Sequence, residues 1–162
     1  MSVFRHLENK CCDSAKNPLY SKRNICFNAI TNYEKRGCHM TDKDLSIQTE
    51  EIQTDGKDTY YCHRYEPTPY EVLDELFTFY TPEKTDVFVD YGCGMGRLNF
   101  YIEKRYSLNS TGVEYSPVYY EKALENKKTY NGSKDKIHFV NCKAEDYLVS
   151  KNETVFYFFN PF

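Results

Sequence analysis

The 162-residue chain contains no tryptophan, no C-x-x-C pair, and only seven glycines and six prolines. No apolar run approaches the roughly 20 residues that a membrane-spanning helix needs. The N-terminus also lacks the apolar core of an export signal. These absences predict a soluble, cytoplasmic protein that does not enter a membrane. Charge of one sign is lacking too: the formal net charge is −3. Such a balance carries no general basic footprint, so it leaves a nucleic-acid partner open without pointing to one. The distribution is uneven, with +3 over residues 1–45 and −6 over the remainder. Internal repeats and low-complexity tracts are absent as well.

Seven cysteines invite a disulfide or zinc reading. Their number is odd and no export signal accompanies them, which favours reduced thiols. Cys38-His39 and Cys62-His63 are adjacent pairs, and neighbours on an extended strand point to opposite faces. No metal site is expected. What the chain has in quantity is tyrosine, sixteen in all, a residue that can bury its ring while its hydroxyl stays wet.

The glycines are concentrated where they say most. Val87-Phe88-Val89-Asp90-Tyr91 runs into Gly92-Cys93-Gly94-Met95-Gly96-Arg97. The apolar start suits a strand buried on both faces. Glycine at every second position permits positive φ and lets a ligand lie against bare backbone. Arg97 to Tyr106 has helical character, with Leu98, Ile102 and Tyr106 on one face. A strand, a glycine turn and a helix start together make a nucleotide-sized pocket.

The spacing separates two ligands that use such turns. The dinucleotide fingerprint is G-x-G-x-x-G; here it is G-x-G-x-G, with Arg97 at the position of the third dinucleotide glycine. Asp90 stands two residues before the first glycine. A pyrophosphate gains nothing from a carboxylate there, whereas a ligand bearing an ammonium and a sulfonium does. A second acid, Glu114, ends the next predicted strand about 20 residues on, suited to accept hydrogen bonds from ribose hydroxyls. Further strands are predicted at Ile137 to Cys142 and at Thr154 to Phe159.

This pattern resembles motif I of the class I S-adenosylmethionine-dependent methyltransferases. The order YxPTP (Tyr65 to Pro69), helix, strand, DxGxGxG, strand ending in Glu114, Ala144-Glu145-Asp146, Phe158-Phe159-Asn160-Pro161-Phe162 is similar to an uncharacterised bacterial branch of that family. The resemblance covers roughly Ile47 to Phe162. It implies an α/β fold, a Rossmann-like mostly parallel sheet with helices on both faces and strand order 3-2-1-4. It implies S-adenosyl-L-methionine as cofactor and an unidentified methyl acceptor as partner. Asp90, Gly92, Gly94 and Gly96 would hold the methionine end, and Glu114 the ribose. Glu145 or Asp146 would meet the adenine, with no choice between them. Tyr115 is either an adenine-stacking ring or one more half-buried tyrosine. Asn160, Pro161 and Phe162 resemble the motif beside the methyl group, which suggests transfer to nitrogen on a planar acceptor. Arg97 is open between anchoring a carboxylate and pairing on the helix surface.

Along the chain, residues 1–45 are expected to form a small helical extension and 46–162 the cofactor-binding domain, incomplete at its C-terminus. Thr41 to Lys57 is polar, lacks periodicity and reads as a linker. Thr68-Pro69 suits a helix entry with proline at the first position, and Ser116 suits a cap. The fourth strand, Phe-Tyr-Phe-Phe in its centre, would present an unpaired edge, as in a fragment or a chain completed by a partner. A catalytically inactive cofactor-binding module of the same fold is the alternative reading. A nicotinamide-dependent oxidoreductase is disfavoured by the glycine spacing and Asp90.

Overall fold

The computed structural model describes residues 23–24, 39–50 and 65–159. Its centre is a five-stranded parallel sheet of β1 (Arg23–Asn24), β2 (Val87–Tyr91), β3 (Asn109–Glu114), β4 (Ile137–Asn141) and β5 (Val155–Phe158), in the order β1-β5-β2-β3-β4. The four strands read from the sequence thus take the expected order, and the sheet is Rossmann-like. The edge of β5 differs from expectation: β1 pairs with it in parallel, Arg23 opposite Val155 and Asn24 opposite Phe156. Most of the helical extension expected over residues 1–45 lies outside the described residues.

Parallel strands need crossovers, and α3 (Arg97–Tyr106) and α4 (Pro117–Thr129) supply those from β2 to β3 and from β3 to β4. Together with α2 (Tyr70–Phe79) they bury one face of the sheet. Leu73, Leu76 and Phe77 of α2 and Leu98, Phe100, Tyr101 and Ile102 of α3 pack with Phe88, Ile137, Val155 and Tyr157. Strand alternation sends Val89, Tyr91, Val113 and Phe156 to the opposite face. There the described cover is the connection from β4 to β5, with one 3₁₀ turn at Ala144–Asp146, instead of a full α-helix. Among the described residues no helix is long and apolar enough to cross a membrane.

Two helix entries differ in detail from the sequence reading. Pro69 occupies the N-cap of α2 and not its first turn. Thr68 turns its hydroxyl to Tyr157, 2.8 Å away, instead of capping. Ser116 is the N-cap of α4 but its side chain makes no cap hydrogen bond, Pro117 taking the first helical position.

The largest departure concerns the expected linker. Thr41 forms a capping box with Asp44 and opens the short helix α1 (Asp42–Leu45). Leu45 and Ile47 enter the main core, and Asp42 and Thr49 are buried. Residues 39–50 are therefore a strap docked on the helix layer. Leu45 and Ile47, with Met40 half-buried beside them, supply little burial for twelve residues, so polar groups hold it, as the site shows.

Candidate functional site

The glycine turn follows β2 at the C-terminal edge of the sheet. Its three glycines all have positive φ, at 73°, 54° and 88° for Gly92, Gly94 and Gly96, a region that L side chains adopt only under strain. The amides of Gly92 and Cys93 both donate to the Val113 carbonyl, at 2.8 and 3.1 Å, and that of Gly96 to the Cys93 carbonyl at 2.9 Å. A Cβ on Gly94 would lie 2.3 Å from the Tyr65 ring, and one on Gly96 2.6 Å from Phe139. Gly94 and Gly96 are needed both for backbone conformation and for packing, and Gly92 for its conformation. Gly96 is the N-cap of α3 and offers no side chain to its first turn.

Asp90 and Glu114 sit together beneath this turn. Both are buried, and β2 and β3 are register neighbours, Asp90 opposite Gly112. Glu114 has two tasks in view. One carboxylate oxygen accepts from the Gly94 amide at 2.8 Å and the other from the Ser116 amide at 2.7 Å. Burial raises its pKa, while those backbone donors pull it back down. An ionised carboxylate has about four acceptor positions, so acceptor capacity remains beyond what the Gly94, Tyr115 and Ser116 amides use.

Asp90 is different. Among the described residues no donor reaches its carboxylate, and burial, reinforced by the charge of Glu114, pushes its pKa up to about 8. Cys93 lies in the same surroundings, and burial pushes its thiol well up too, with Asp90 and Glu114 adding to it. A buried carboxyl without a donor costs several times what a paired one does. Its place at a strand end beside bare backbone is where an α/β sheet binds ligands.

The remaining sequence candidates scatter. Tyr115 is 56% exposed, with the Lys143 ammonium 6.0 Å from its ring centre. Glu145 and Asp146 lie on the 3₁₀ turn after β4, both exposed, and Glu145 is 3.7 Å from Lys143. Neither is brought to the buried pair. Asn160, Pro161 and Phe162 lie outside the described residues.

Arg97 does something neither sequence option covers. Its side chain is buried and clamps the strap: Nε donates to the Thr49 hydroxyl at 2.7 Å and Nη1 to the Thr68 carbonyl at 3.3 Å. Asp42 is 3.7 Å from Nη2, and the guanidinium lies 4.7 Å from the Tyr70 ring centre. Asp42 in turn accepts from Tyr70 at 2.6 Å, and from the Thr49 hydroxyl at 2.7 Å and its amide. Tyr65, whose ring covers Gly94, donates its hydroxyl to the Thr49 carbonyl at 2.8 Å. The only signal for this network was the Tyr65 to Tyr70 element, whose partners are remote in sequence.

No protein-family model and no curated protein matches the chain. Similar solved structures include an RNA methyltransferase from Salinibacter ruber in complex with S-adenosyl-L-homocysteine, at 28% identity and TM-score 0.46, over 51% of this chain and 53% of that one. A geranyl diphosphate C-methyltransferase from Streptomyces coelicolor, with Mg2+, geranyl diphosphate and S-adenosyl-L-homocysteine, is 18% identical at TM-score 0.48, over 55% and 33%. The N-terminal domain of human METTL16 with SAH is 17% identical at TM-score 0.46, over 68% and 43%. The chain spans about half the length of the first of these and less of the other two.

Proposed function

We propose that this chain binds S-adenosyl-L-methionine at the ends of β2 and β3 and serves in methyl transfer to an acceptor. The observation that carries this reading is Asp90: a buried carboxyl, without a donor among the described residues, held beside three positive-φ glycines. A cationic amino-acid group supplies the charge that Asp90 lacks, and a ribose diol fits the acceptor positions Glu114 has left. A pyrophosphate would place negative charge against two buried carboxyls, which disfavours a dinucleotide.

When bound, the cofactor supplies a methyl group already activated on a sulfonium. The task left to the chain is positioning and the exclusion of water. Asp90 holds the ammonium, Glu114 holds the ribose while keeping the Gly94 amide in place, and the bare turn lets the ligand approach. Tyr115 and Glu145 or Asp146 belong to the adenine side in this reading. Tyr91 and Phe158 are register neighbours, so the chain leaves β5 beside the turn. That supports Asn160, Pro161 and Phe162 as the acceptor side.

Calorimetric titration with S-adenosyl-L-homocysteine, with NAD as comparison, tests the reading. Saturable binding of the first alone is expected. Preference for NAD, or no binding by a folded sample, would overturn it. Binding without transfer to any acceptor would favour the inactive module of the same fold.

A further inference from the structure

The strap reaches the glycine turn and the start of α3 at three points, each through a different residue. At Gly94 the contact is the Tyr65 ring, whose hydroxyl is tied to the Thr49 carbonyl. At Arg97 it is the direct bond from Nε to the Thr49 hydroxyl, 2.7 Å long. At Met95 it is Asn126 of α4. The Asn126 Oδ1 accepts from the Gln48 amide at 2.8 Å, and its Nδ2 donates to the Gln48 carbonyl at 3.0 Å and the Met95 carbonyl at 3.1 Å. An amide group has one acceptor and two donors, and here all are used. That assignment is fixed by its partners, since a flip would set Oδ1 against two carbonyls.

Gln48 and Thr49 are thus the hub of three short routes into the turn at 94, 95 and 97. Hydrophobic burial at Leu45 and Ile47 docks the strap; its earlier residues bond to α2 and to Asn131, whereas the contacts of Gln48 and Thr49 lead to the turn and to the start of α3. A device meant only to seal the core has no need to engage the turn at three places. We infer that the strap 39–50 and the glycine turn form one coupled unit. Asn126 is its positioning residue, so docking of the strap sets the affinity of the turn for its ligand. The affinity part rests on the function proposed above; the mechanical coupling does not. By linkage, ligand at the turn also tightens the strap.

Two variants release the strap at different points. Asn126→Ala removes the bridge to Met95. Asn131→Ala frees the far end, where Asn131 donates to the Asp44 carbonyl at 2.7 Å, without touching the turn. Amide hydrogen exchange is read at Gly96, which bonds within the turn, and at Gln48, first without ligand. Calorimetry with S-adenosyl-L-homocysteine follows. In both variants Gly96 should exchange faster, by about tenfold for Asn126→Ala and two- to threefold for Asn131→Ala, and affinity should fall in the same proportion. In the wild type the ligand should slow exchange at Gln48. A purely structural role would lower the melting temperature and leave that ligand-dependent protection intact. Faster exchange at Gln48 with Gly96 and affinity unchanged would overturn the coupling. Faster exchange at Gly96 in a protein that binds no S-adenosyl-L-homocysteine would support the coupling and remove the proposed function.

Discussion

The two ends of the sheet treat buried carboxylates differently. At the end where the strands begin, each is supplied with donors. Asp86, just before β2, accepts from Tyr80 at 2.7 Å, from the Glu83 amide at 2.8 Å and from Thr154 at 2.9 Å. Glu153, just before β5, accepts from Tyr147 at 2.5 Å and the Ser150 amide at 2.6 Å. Glu103, near the end of α3, accepts from Tyr130 at 2.5 Å and the Ser133 amide at 3.2 Å. These acids pin loops. At the end where the strands finish, Asp90 has no donor among the described residues. Glu114 at that same end accepts from the Gly94 and Ser116 amides, so Asp90 is the exception among these buried acids: with donors such an acid is architecture, and without them it is a prepared ligand contact.

The largest effect that sharpens this contrast is expected at the structural end. Glu103→Ala leaves the Tyr130 hydroxyl only the Phe100 carbonyl, 3.2 Å away, frees the Ser133 amide, and should cost about 3 kcal/mol of stability in urea denaturation. Cofactor affinity should stay within twofold, because the residue lies far along α3 from the turn. A large loss of affinity would blur the division between the ends.

Asp90→Asn should act with the opposite sign on stability. A raised folded pKa means the native state holds its proton more tightly than the unfolded chain does. Stability from that proton is complete below the unfolded value near 3.8 and is lost as pH rises through about 8. The variant has no charge to bury, so it should be more stable than wild type near pH 8, by on the order of 2 kcal/mol. Its stability should also vary less between pH 4 and 8. At the same time it should bind S-adenosyl-L-homocysteine more weakly. A loss of both stability and affinity would make Asp90 one more architectural acid.

Glu114→Ala should weaken binding by about 2 kcal/mol, roughly thirtyfold, and loosen the Gly94 amide that it now fixes. An unchanged affinity would remove Glu114 from the ligand and leave it as the turn's clamp. Tyr115→Ala, on an exposed ring, should give the smallest effect, about 1 kcal/mol or fivefold in affinity, with stability unchanged.

The sheet and the turn were legible because their signals are local. Val87 to Val89, the glycines and Glu114 lie in two short runs whose periodicity and spacing speak for themselves. The strap was not, because Leu45 and Ile47, with Met40 packed beside the core, read as scattered apolar positions in a polar stretch. Asp42, Thr49, Arg97 and Asn126 look like solvated residues one at a time. They become a buried network only when chain segments up to 78 positions apart meet. The pairing of β5 with β1 was hidden for the same reason: Arg23-Asn24 has no strand pattern of its own. Asp90 and Glu114 were legible as acids at strand ends. That one is supplied with donors and the other is not depends on backbone geometry no spacing encodes.

The most direct test is calorimetric titration of the wild type with S-adenosyl-L-homocysteine at pH 7, in two buffers of different ionisation enthalpy. An Asp90 carboxyl that is mostly protonated when free and ionised against a bound ammonium releases close to one proton. The apparent binding enthalpy should therefore differ between buffers by nearly the difference in their ionisation enthalpies, and that difference should vanish in Asp90→Asn. Equal enthalpies in the two buffers for a wild type that binds would contradict the central claim that Asp90 is the unpaired acid awaiting a cationic ligand.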